Sequence, residues 1–147
     1  MRRYALVVAL TALLTSGCAN THNFNTVVSL GPVIADEIKV VSDAVEGQKA
    51  GLQSVDCTVD PKQPMNCYVA FSVYLGKAAG YDDMLAAAIR AVNTTSTKVA
   101  VANLSDLVST WIQTQLIKLP ATIQPYILVA LSTLRGTLAV VSNNLGG

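Results

Sequence analysis

The sequence predicts an all-α fold, a four-helix bundle with a disulfide-clamped loop. Three observations point there. Apolar residues recur every three to four positions in four successive segments, the spacing that lines one face of a helix. Short stretches rich in Pro, Asn, Thr and Gly separate the segments, and such connections join antiparallel neighbours. Cys57 and Cys67 bracket a proline-containing loop between the first two segments.

Leu30, Ile34, Ile38, Val41, Val45, Leu52 and Val55 carry the first segment, with Gln48 as its polar member. Pro32 suits a first helical turn, where no N–H is needed, and Asp36-Glu37 suit the positive end of the helix dipole. A helix over 32–56 would run about 36 Å. Gly47 and Gly51 lie one turn apart inside it and predict a close helix crossing.

Phe71, Tyr74, Ala78, Tyr81, Leu85, Ala88 and Val92 mark a second helix near 67–92. A competing pattern runs through the same region. Cys67, Val69, Phe71, Val73 and Leu75 alternate, as do Val55, Cys57 and Val59. The alternative is therefore an α+β fold with a short hairpin at 54–75 and a helix starting near Asp82. Asn93 to Thr97 is a turn rich in capping residues. Val101, Leu104, Val108, Trp111 and Leu116 mark a third helix ending before Pro120. Pro125 can open the fourth, carried by Ile127, Leu131, Leu134, Leu138, Val141 and Leu145.

The chain has 147 residues, of which 13% are charged and 52% hydrophobic, the reverse of a disordered tail. Net charge is +1 with no basic run, which excludes the electrostatic footprint of nucleic-acid binding.

The first residues follow the order of a secretory signal peptide. Met1-Arg2-Arg3 is a positive start, Tyr4 to Leu14 is apolar apart from Thr11, and Thr15-Ser16-Gly17-Cys18 is small. Eleven helical residues span about 16 Å, half a hydrocarbon core, which argues against a permanent span. Ser16, Gly17 and Cys18 resemble the lipobox of bacterial lipoproteins, while Thr15 stands where that family has Leu, Val or Ile. The resemblance implies cleavage before Cys18 and a diacylglyceryl group on its thiol, a covalent lipid but no other cofactor. With Ala19 rather than Asp next, it further implies sorting to the outer membrane, facing the periplasm. The alternative is ordinary cleavage after Ala19. The domains expected are a signal peptide over 1–17, a lipidated cysteine and polar tether over 18–26, and a helical periplasmic domain over 27–147.

Once Cys18 is lipidated or removed, Cys57 and Cys67 remain, and an exported pair favours a disulfide. Nine intervening residues fit neither a C-x-x-C redox pair nor a zinc spacing.

Catalysis finds little material, and the chain is expected not to be an enzyme. His22 is the only histidine, so no Ser-His or Cys-His arrangement can form within the fold. Asp36-Glu37 and Asp82-Asp83 are adjacent pairs whose members point about 100° apart on a helix. No catalytic residue and no metal ligand set emerges. Tyr68, Tyr74, Tyr81, Trp111 and Tyr126 could line a pocket, though core packing is the commoner use.

Residues 84–147 hold one acidic residue, Asp106, and four basic ones, Arg90, Lys98, Lys118 and Arg135. So weakly charged a surface is poor at preventing association, and the helices over 97–143 are expected to meet a protein partner, a second copy or the lipid surface; the alternative is a well-buried bundle with a neutral polar exterior. The expected function is a membrane-anchored, non-catalytic envelope interaction or structural module. One alternative is a periplasmic carrier of a small apolar ligand. Another is a two-membrane tether resembling the single-chain phage spanins, with 123–141 as second anchor; Arg135 in mid-helix argues against it.

Overall fold

A computed structural model describes residues 20–146. The fold is all-α. Its helices are α1 (Asn20–Gly47), a short α2 (Lys49–Gln53), α3 (Cys67–Arg90), α4 (Thr94–Thr110) and α5 (Gln124–Asn144). The four long helices form an up-down-up-down bundle. α1 packs along α3 and α5, and α4 packs along those same two, so α3 and α5 stand at opposite corners. One contiguous core runs the length of the bundle, from Val27 and Leu145 at one end to Leu52 and Leu119 at the other.

The first helix departs most from its sequence pattern. Residues 20–26, expected as a polar tether, belong to α1, and Thr26 and Val27 are buried. The helix therefore begins before residue 27. The inward row begins at Val27 and Leu30, earlier than Pro32, and burying them draws the polar start into the helix. Pro32 consequently sits in the helix interior, on an exposed position, rather than in the first turn. An interior proline costs about 3 kcal/mol, which the buried row on either side of it offsets. At the other end the helix breaks at Gln48 instead of running to 56. Gly47 closes α1 with nothing near it, so only half of the predicted crossing exists: a Cβ on Gly51 would overlap the Ile123 side chain, where the chain leads into α5.

The hairpin alternative is overturned. Residues 67–75 are helical, and the only pairing there, among the described residues, is the single bridge between Asp56 and Asn66. Cys57 N donates to Met65 O and Cys67 N to Val55 O, both at 2.9 Å. Asn66 then caps α3 by accepting from Val69 N at 3.0 Å, so the ladder ends where the helix starts. The Cys57–Cys67 disulfide closes this loop, with both cysteines fully buried. Replacing both by Ala should lower stability by about 2–3 kcal/mol, the entropy of freeing a loop of this size in the unfolded chain. Urea midpoints of oxidised wild type and double variant check this.

α4 holds its α-helical hydrogen bonding only to Thr110. A π-helical turn follows over Trp111–Gln115, then a 3-10 turn over Leu116–Lys118. Trp111 and Leu116 are five residues apart and both buried. An α-helix would turn Leu116 well away from Trp111; the wider π turn brings it back inward.

The connection between α3 and α4 carries local strain. Val92 N donates to Ile89 O and Asn93 N to Ala88 O, the two bonds of a Schellman helix end. That motif needs a left-handed residue, usually glycine, and here it is Val92 at φ 52°. A β-branched residue there costs about 1–2 kcal/mol. Val92→Gly should therefore raise stability by about 1 kcal/mol, after allowing for the extra freedom of glycine in the unfolded chain. A higher thermal midpoint is the expected reading.

Candidate functional site

Cys18, the signal segment and Ala19 lie outside the described residues. Within them, no group of three or more His, Cys, Asp or Glu side chains could hold a metal. Asp36 is exposed, whereas its neighbour Glu37 is half-buried against α5. Thr137 Oγ1 donates to Glu37 Oε1 at 2.7 Å, while Oε2 is buried without a partner. Burial raises the Glu37 pKa, and the Thr137 bond acts in the opposite direction. Asp82 is raised as well, by burial and then by the charge of Asp83. The two acidic pairs sit on different helices, α1 and α3.

Glu37 has a pH consequence. Its folded form holds a proton to higher pH than the unfolded chain, so its contribution to stability declines as pH rises through that window. Glu37→Gln keeps the acceptor for Thr137 without the buried charge. It should raise the thermal midpoint at neutral pH, and the difference should fade below the ordinary glutamate value of 4.5.

Of the aromatic side chains, Tyr74 and Trp111 pack together, Tyr68 and Tyr126 lie elsewhere, and Tyr81 is half-buried on α3. Trp111 meets Phe71 edge-on at 5.1 Å and stacks on Tyr74 at 5.2 Å, inside the core. The Tyr68 hydroxyl donates to Glu46 Oε1 at 2.6 Å, and Lys49 Nζ lies 4.8 Å from its ring centre. Tyr126 faces outward. Surface clefts of about 240–380 Å³ lie at the helix ends, the disulfide loop and the α1–α3 groove.

What remains distinctive is the outer surface. On the charge-poor helices, Val99, Ile117, Tyr126 and Val129 are exposed, as is Arg135. α5 is, among the described residues, the one helix long and apolar enough by length and composition to cross a membrane. Here its row Ile127, Leu131, Leu134, Leu138 and Val141 is packed into the bundle. A second outward row, on α3, escaped the sequence reading: Val69, Val73, Gly76, Gly80, Met84 and Ala87 are all exposed. A Cβ on Gly76 or Gly80 would meet nothing in the fold. The signal was present as a second three-to-four step, offset from the Phe71 row. Set against protein-family models, curated proteins and solved structures, the chain matches none of them.

Proposed function

We propose that this protein is an exported lipoprotein, held by a lipid on Cys18 at the periplasmic face of the outer membrane. Its bundle acts as a non-catalytic interaction or structural module. The observation that supports the module is the contrast between inside and outside. The core is one continuous block of packed side chains, and the apolar surface left over is on the outside. A binding module needs such outward apolar faces, whereas a carrier needs an enclosed apolar cavity. The exposed sides of α4 and α5, within the charge-poor 97–143 region, are the surface offered to a partner protein. Ser16-Gly17-Cys18 after an apolar segment supports the anchor, and two or more acyl chains give stable attachment where one is marginal.

Fractionation of cells producing Cys18→Ser tests the anchor. Wild type should sediment with the outer membrane. The variant should appear among soluble periplasmic proteins or accumulate unprocessed. A processed variant that still sediments with the membrane would refute anchoring through Cys18.

A further inference from the structure

We infer that the end of the bundle nearest Cys18 is itself a docking surface for anionic phospholipid headgroups, with Val92 as its apolar tip and Arg90 and Lys98 as its cations. The inference rests on the lipid anchor proposed above and adds to it a second contact that orients the domain on the bilayer.

Three independent observations meet at this end. The first is position. Asn23 and Phe24 share a cleft with Thr94, Lys98, Leu145 and Gly146, so the start of α1, the start of α4 and the end of α5 lie together. Cys18 comes two residues before Asn20 in the sequence, so an anchor there is tied to the start of α1 and hence to this end of the bundle.

The second is charge. Residues 20–31, 86–102 and 140–146 contain Arg90 and Lys98 but no Asp or Glu. Both cations are exposed, and neither forms an ion pair or a side-chain hydrogen bond among the described residues. The acids Asp43, Glu46, Asp56 and Asp60 belong to the opposite end, with the disulfide loop, while Asp82, two turns back along α3, lines a cleft with Arg90 without pairing with it. A bundle with this asymmetry presents its positive end to an anionic surface, and each cation near such a surface is worth about fivefold in affinity.

The third is strain. Val92 is held at φ 52° and left 69% exposed at the tip of the α3–α4 connection. Packing within the fold does not account for an apolar, β-branched side chain there, where glycine would close the helix without strain. Contact with the interfacial layer of a bilayer does account for it, because strain persists where function holds it.

The test uses the full chain purified from the envelope and reconstituted through its own lipid. Vesicles are of phosphatidylcholine alone, or with about one-third phosphatidylglycerol. Flotation reports the anchor, and amide hydrogen exchange over 90–96 reports the contact. Wild type should float with both vesicles and exchange at least about tenfold more slowly over 90–96 with phosphatidylglycerol. The Arg90→Gln/Lys98→Gln variant should float equally and lose that difference. Val92→Gly should float equally, show weaker protection and melt at a higher temperature, so its loss of contact cannot be ascribed to misfolding. Wild-type protein that floats with both vesicles yet exchanges identically would overturn the docking surface while leaving the anchor standing. Wild-type protein that fails to float would overturn both.

Discussion

Trp111→Ala should lower the unfolding free energy by about 3–5 kcal/mol, the largest single-residue effect expected in this protein. Trp111 is 1% exposed and lies where α4 gives way to the π turn, against Phe71 and Tyr74 of α3. Truncation removes the largest buried side chain and both ring contacts, and aromatic pairs are worth about 0.5–1.5 kcal/mol beyond their buried area. The π turn would also lose the side chain around which it is wound. Trp111→Phe is the informative companion. The indole Nε1 is buried without a partner, so Phe discards an unpaired donor along with some volume and should cost much less than Ala. Against a typical domain stability of about 5–15 kcal/mol, the Ala variant should be marginal. Urea unfolding followed by far-UV circular dichroism, which does not depend on the removed tryptophan, measures both.

Leu134→Ala should cost about 2–5 kcal/mol, while the adjacent Arg135→Leu should leave stability nearly unchanged. Leu134 is 2% exposed in the row that α5 presents to the bundle. Arg135 is next in sequence, turned about 100° away, and its guanidinium has no ion-pair partner among the described residues. Its loss removes little. A membrane-spanning α5 would reverse the ranking, since Arg135→Leu would then favour insertion and Leu134→Ala would matter little. Thermal midpoints of the two variants in buffer, without detergent, therefore distinguish a bundle helix from a span.

Much of this fold was legible because its inward rows are long and regular. Ile127 to Val141 on α5 are buried as their spacing implies, and on α3 Phe71, Ala78, Leu85 and Ala88 are too, with Tyr74 and Tyr81 half-buried; Val92, the last of that row, is exposed beyond the helix end. The Cys57–Cys67 pair followed from counting cysteines. The failures have specific physical causes. Val27 and Leu30 extend the α1 row, but the Asn- and Thr-rich residues before them read as loop, and Pro32 read as a start because its cost is local while its compensation is tertiary. The alternation from Cys67 to Leu75 reflected two helix faces, one buried and one outward, rather than a strand. The five-residue step from Trp111 to Leu116 is the trace of the π turn, visible only once both ends are known to be buried. The weak charge of α4 and α5 could be read from composition. The φ of Val92 and the gathering of Asn23, Thr94, Lys98 and Leu145 at one end could not, because both arise from how the helices meet.

Intact-mass measurement of the mature protein, extracted from the envelope, tests the lipid anchor most directly. The expected mass is that of a chain beginning at Cys18 with a diacylglyceryl group added. A chain beginning at Asn20, with no lipid mass, would contradict it.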